Sequence, residues 1–257
     1  NAPNSYVTYI ATYGDMDAAA MTAGYYGTLY AVGTLRAPLI TALGGDPVYD
    51  ISIMKLYAGP VRDVSVDAAG GLYLTNVADW IDTDATPDTI DAAWATKFYV
   101  TGVDGDFHPG VTLDGTNALG GLTVNYAYIA GNLGQEAGPG STWNITGEVG
   151  TFSVIKAACN SRVQATGSIG RVSVGAAIGS DFLAGVKVGF SGRFADALTD
   201  YINDGAGNTA QIGSVLVNSW GGGGFESELV KDCNFTAARL GPVYLRDYDA
   251  EDTYRLT

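Results

Sequence analysis

The sequence predicts an all-β protein: a right-handed parallel β-helix with irregular loop insertions and one or two short helices. Three observations predict it, namely a short pattern recurring at unequal intervals, an acid content dominated by Asp, and abundant glycine. The handedness follows the general preference for right-handed crossovers between parallel strands.

The composition argues against a helical protein. Among 257 residues there are 22 Asp but only 5 Glu, and 8 Arg but only 5 Lys. Glu and Lys fill exposed helix faces, whereas Asp suits turns because its short side chain bonds nearby amides. The 36 Gly point the same way, since Gly is unfavourable in helix interiors and free at turns. An apolar fraction of 47% supplies a core for a single domain spanning 1–257. A formal charge of −14 repels phosphate, so no nucleic-acid partner is expected. No apolar run approaches the ~18 residues of a spanning helix, so no membrane span is expected. The chain begins at Asn1 without a charged-then-apolar leader, so either a signal peptide was removed or a longer chain was cut.

The recurring pattern is aliphatic, Gly, any, apolar, any, apolar. It reads LGGLTV at 119–124, VGTFSV at 149–154, IGRVSV at 169–174, IGSVLV at 212–217 and LGPVYL at 240–245. Looser echoes are VGTLRA at 32–37 and VRDVSV at 61–66. The alternation after the Gly has the period of a strand with one buried face, and the Gly suits a tight corner before it. The motif glycines Gly120, Gly150, Gly170, Gly213 and Gly241 lie 30, 20, 43 and 28 residues apart. A propeller would repeat at a nearly constant ~40–45 residues, and a sandwich would not repeat at all. A solenoid has a minimum coil length and extrudes the excess as loops, which is what this spacing describes. Second strands are expected at Arg162–Ala165, Gly185–Val188 and Glu228–Val230. Roughly ten coils at ~4.8 Å each give a rod of about 50 Å.

Two stretches have helical spacing. Thr86-Pro87-Asp88 leads into Ile90, Ala93, Trp94 and Lys97, and Phe194, Leu198, Tyr201 and Ile202 precede the stop Asn203-Asp204-Gly205. The first 30 residues hold six Tyr and read as a cap or subunit-pairing arm over the open end.

The runs TGSIGRVSVG at 166–175, DFLAGVKVG at 181–189 and AQIGSVLV at 210–217 resemble the units of large secreted bacterial surface proteins with IGxVxV-type parallel β-helix repeats. The likeness covers mainly 118–245. It implies a parallel β-helix in an extracellular setting, and it carries no catalytic residues.

Candidate chemistry is sparse. Cys159 and Cys233, each followed by Asn, are expected as two buried thiols without a disulfide, because equivalent positions two coils apart lie too far from each other. A single His excludes the common triads and multi-His metal sites; His108 could join Asp104 and Asp106 at a metal, but next to Pro109 it reads first as a turn residue. Calcium needs six or more oxygens. The clusters Asp82, Asp84 and Asp88, Asp104 and Asp106, Asp200, Asp204 and Asn208, and Asp247, Asp249 and Asp252 could supply them, and none matches the twelve-residue calcium loop. Trp80, Trp94, Trp143 and Trp220 could stack on sugars, with core packing the default. Asn144 and Asn234 head N-glycosylation acceptor patterns, and Gly221–Gly224 reads as a corner loop. No catalytic or cofactor-binding residue is assigned, and no metal ligand set is chosen.

The expected function is that of a structural subunit, not an enzyme. It would form an extracellular or cell-surface filament, sheet or matrix as a homo-oligomer or polymer, through the solenoid ends and the N-terminal arm. The alternative is a β-helix that binds or cleaves a neutral glycan.

Overall fold

Nearly every turn of the chain opens with an apolar residue, skips two, places a second, skips one and places a third. In the computed structural model this pattern stacks into the first wall of a three-sided parallel β-solenoid. The structure describes residues 5–115, 117, 119–135, 137–192, 197–202, 207–218, 229–246 and 254–256. The wall has ten rungs, whose leading residues are Val7, Tyr26, Ile53, Leu72, Ala95, Val124, Val149, Ile169, Ile212 and Leu240. Their second positions include Leu29, Leu56, Phe98, Phe152 and Val172, and their third Val77, Val100, Ile129, Val154 and Val174. All of these inward residues are buried except Val7 and Leu240, on the two end rungs, which are partly exposed.

A bend after the third position leads into a narrow second wall. There Met16, Leu35, Val61, Trp80, Phe107, Leu133, Ala158, Ala177 and Val230 stack in register. The third wall is a ten-stranded sheet with the column Met21, Ile40, Val66, Ile90, Val111, Trp143, Val163, Phe182, Phe235, Leu256. Large rings fill the middle of the core. Trp80, Phe98, Phe107, Trp143, Phe152, Phe182 and Phe235 form a continuous chain with centroids 5.0 to 6.4 Å apart. Edge-to-face contacts of this kind add to the area that the rings bury.

The motif glycines are needed for space. Gly150, Gly170, Gly213 and Gly241 stack in one column, and a Cβ on Gly170 would lie 2.5 Å from the Gly150 carbonyl oxygen. None of these four has a positive φ. LGGLTV at 119–124 falls outside this column, because Val124 is the leading residue of its rung and Gly120 sits in the preceding turn at φ +71°. The echoes at 32–37 and 61–66 run across the second wall, through Leu35 and Val61.

A different corner does need the left-handed region. Between the second and third walls Asp63, Asn160, Gly179 and Asp232 have φ of 53°, 50°, 59° and 48°. Asp, Asn and Gly are the residues that tolerate it best. The next position stitches rungs together, the Ser141 amide donating to Ser161 Oγ and the Ser161 amide to Ser180 Oγ, each at 3.0 Å.

Several expectations are corrected. The stretch 86–97 is no helix: Thr89–Ala92 and Ala95–Val100 are strands, and Ile90 and Ala92 alternate inward. The second apolar stretch yields one 3₁₀ turn, Leu198–Asp200, and Phe194 and Asn203–Gly205 lie outside the described residues. The strand expected at Gly185–Val188 is Asp181–Ala184, four residues earlier. Val230–Lys231 belongs to the second wall, and its third-wall successor is Cys233–Thr236. Arg162–Ala165 is a third-wall strand as expected. The Tyr-rich opening supplies the first two rungs of the first wall, Tyr6–Thr12 and Tyr25–Ala31. No described helix is long and apolar enough to cross a membrane.

Gly170→Val forces the backbone of two rungs apart and lowers stability by about 3 kcal/mol. Gly14→Val, where a Cβ meets nothing within 4 Å, stays within about 1 kcal/mol of the parent. Chemical denaturation of both variants measures the difference, and equal losses would contradict the close approach of the rungs.

Candidate functional site

Two surfaces gather chemistry that the core does not use. The first lies at the left-handed corner. The first- and second-wall strand Gly71–Ile81 is followed by an insertion, residues 82–88, before the third wall resumes at Thr89–Ala92. Short acidic side chains shape this loop from within: Asp82 Oδ1 accepts from the Asp84 amide at 3.2 Å, and Asp84 Oδ1 from the Thr86 amide at 2.6 Å. Asp82 Oδ2 accepts from the Asp88 amide at 3.2 Å. The loop folds back on Asp63 of the preceding rung, whose carboxylate accepts from the Thr83 amide at 2.6 Å and from the Thr83 hydroxyl.

This brings Asp63, Asp82 and Asp88 together, with one carboxylate oxygen of each lying within 4.8 Å of the others. Among the described residues they are the one such group of three or more metal-ligating side chains. Asp88 is 5% exposed, and its Oδ2 has no hydrogen-bond partner among the described residues. Burial, then the charge of Asp82, pushes its carboxyl up to about 7, while a backbone hydrogen bond from Val64 pulls the other way. Asp63 behaves oppositely: burial raises its carboxyl, but the Thr83 and Asp84 hydrogen bonds and nearby Arg62 outweigh that and hold it low. Arg62 itself engages both oxygens of Asp79.

The second surface is the outer face of the first wall. The position between the second and third core residues points outward, and its column reads Tyr30, Tyr57, Asn76, Tyr99, Tyr128, Ser153, Ser173, Leu216, Tyr244. Tyr30 lies edge-on to Tyr57, and the rings of Tyr126 and Tyr128 are parallel to within 9°. Beside them is a depression of roughly 310 Å³ lined by Tyr126, Tyr128, Thr151, Ser153, Arg171 and Ser173 among others, and its lining contains no carboxylate.

The other sequence candidates disperse. His108 pairs through Nδ1 with Gln135 Nε2 at 2.9 Å, Asp104 with Lys156 at 2.9 Å, and Asp106 accepts from the Asn132 amide. Burial, outweighing Asp106, lowers the His108 imidazole. Asp200 accepts from the Ala197 amide and Asn208 from the Ala210 amide, both as local turns. Asp204, Asp247, Asp249, Asp252, Trp220 and Gly221–Gly224 lie outside the described residues. Trp80, Trp94 and Trp143 are buried in the core and offer no face to a sugar. Asn234 is buried against Asp181, while Asn144 is half-buried and accepts from Gln164.

Cys159 and Cys233 are buried thiols with no disulfide between them. They are not equivalent positions: Cys233 stacks after Ser180, whereas Cys159 ends a second-wall strand opposite Ile178. In comparisons with known proteins, no family model, no curated sequence and no solved structure matches the chain.

The Asp88 carboxyl sets a pH dependence. Its folded value of about 7 exceeds the ordinary 3.8, so the folded state holds an extra proton between those values and this group's contribution to stability falls as pH rises from about 4 to 7. In chelator-treated buffer Asp88→Asn therefore matches the parent near pH 3, gains on it steadily from about pH 4 to 7, and is more stable by roughly 2–4 kcal/mol near pH 8. Denaturant titrations across pH check this, and parallel profiles would contradict it.

Proposed function

We propose that the chain is a structural module of an extracellular or cell-surface assembly, in which solenoids join rung to rung. One observation carries the reading. The apolar columns that are fully buried in the middle rungs stay partly exposed at both ends of the described stack, at Val7, Ile10, Met16 and Met21 and at Leu240, Val243 and Leu245. An end rung of this kind presents unpaired backbone groups beside apolar side chains, which is the surface that a further rung covers. Tyr6 and Tyr9 at one end and Tyr244 at the other are each more than 60% exposed and widen the apolar contact. Joining one end to the opposite end of a second copy is a heterologous contact, and such contacts propagate into fibres. The acidic, Lys- and Glu-poor composition and the likeness to secreted repeat proteins support an extracellular setting.

A second reading rests on the tyrosine face. Tyr126 and Tyr128 offer flat rings to the apolar faces of sugars, and Thr151, Ser153 and Ser173 offer hydroxyls. With no carboxylate in the lining, this surface suits binding a neutral glycan and not two-carboxylate cleavage.

Electron microscopy across a concentration series tests the assembly. End-to-end filaments that grow with concentration are expected, and Val7→Lys combined with Leu245→Lys should give single rods with unchanged circular dichroism. Isolated rods of about 50 Å at every concentration would overturn it. For the tyrosine face, Tyr126→Ala with Tyr128→Ala should weaken neutral-glycan affinity at least tenfold, a typical loss when stacking rings are removed. Failure of the parent to retain any neutral polysaccharide in affinity electrophoresis would remove that reading.

A further inference from the structure

We infer that Asp63, Asp82 and Asp88 bind a calcium ion that pins the 82–88 insertion to the neighbouring rung. The inference is independent of the assembly reading, since it concerns one corner of a single chain. It rests on the unsatisfied, buried oxygen of Asp88 and on the convergence of the Asp63 and Asp82 carboxylates with that of Asp88.

A buried carboxylate oxygen without a donor is costly, and native folds satisfy nearly all such atoms. Here the Asp88 Oδ2 has no partner, yet its neighbours are two more acids instead of a Lys or Arg. The guanidinium next in sequence to Asp63 belongs to Asp79. Three carboxylates converging without a cation repel one another, and a divalent ion reverses the sign of that interaction. The chain also holds them there by unusual means. Asp63 adopts φ +53°, and Thr83 clamps its carboxylate through both its amide and its hydroxyl.

The donor set selects among ions. All-oxygen, carboxylate-rich ligation excludes the soft metals that favour sulfur. Three carboxylate oxygens lying within 4.8 Å of one another can share one divalent ion. Magnesium demands strict octahedral geometry and usually keeps several waters. Irregular carboxylates from two rungs meet calcium's tolerance for variable geometry better. The ion would bridge the corner after one rung to the insertion after the next, holding the loop against the third wall where Asp88 enters Thr89–Ala92.

Calorimetric titration of chelator-stripped protein with calcium tests this. One saturable site per chain is expected, together with a rise of about 5 °C in Tm at an ion concentration near 100 times Kd. Asp82→Asn and Asp88→Asn should each weaken calcium binding at least tenfold. Asp104→Asn, an exposed acid paired with Lys156, should leave it unchanged. Magnesium at equal concentration should give a smaller Tm rise. Absence of saturable calcium binding in the parent, or undiminished binding in a folded Asp82→Asn or Asp88→Asn, would overturn the assignment. Asp82 is only partly buried, so its variant keeps the test available if Asp88→Asn does not fold.

Discussion

In-register parallel pairing between successive rungs is the constraint on which the rest of the structure depends. Once the backbone of one rung bonds the next at ~4.8 Å, each column must hold a residue that can stand on its own kind. The three inward columns of the first wall are therefore apolar almost throughout, with the buried Thr75 the polar exception among the middle rungs. Phe98, Ala127 and Phe152 share one column, and the small Ala between the two rings makes room for Trp143 to enter from the third wall. The same constraint fixes the glycine column and the Asp, Asn and Gly corner. It leaves loop length almost unconstrained: Val149 and Ile169 are 20 residues apart and Ile169 and Ile212 are 43, yet each pair sits on adjacent rungs.

That asymmetry explains what the sequence discloses. The rungs from Val149 to Leu245 carry the Gly and the alternation together, so their motif stands out. Most earlier rungs keep the spacing but replace the Gly, as in Leu72-Tyr-Leu-Thr75-Asn-Val77 and Ala95-Thr-Lys-Phe98-Tyr-Val100, and the one that keeps it, Tyr26-Gly27-Thr-Leu29-Tyr-Ala31, has a Tyr in place of the aliphatic residue. Without the Gly the repeat is hidden, and Ile90, Trp94 and Lys97 imitate a helix. The decisive period there is two, seen at Ile90 and Ala92. The reason for the motif Gly also changes: a sequence suggests a special corner, whereas the fold demands room for a neighbouring carbonyl.

The candidate site was half legible. Asp82, Asp84 and Asp88 cluster along the chain, but Asp63 joins them only because one turn of the solenoid returns the chain to the same corner. Nineteen residues separate Asp63 from Asp82 in sequence and a single rung separates them in space. Conversely, Asp104 and Asp106 are neighbours in sequence that turn to different partners, Lys156 and the Asn132 amide. The tyrosine face is hidden in the sequence for a related reason. Tyr30, Tyr57, Tyr99 and Tyr128 are unremarked singly and form a column only when the register is known. Function in such a fold resides on what the stack leaves outside itself: the ends, the corner insertions and the outward columns.

The register is tested most directly by dipolar spectroscopy between spin labels on the outward column. With one label at Tyr57 and the second moved from Ser153 to Ser173 to Leu216, each step adds one rung. The account predicts narrow distances that lengthen by ~4.8 Å at both steps, although the first spans 20 residues and the second 43. Broad distributions, or a second step much longer than the first, would contradict the stacked solenoid.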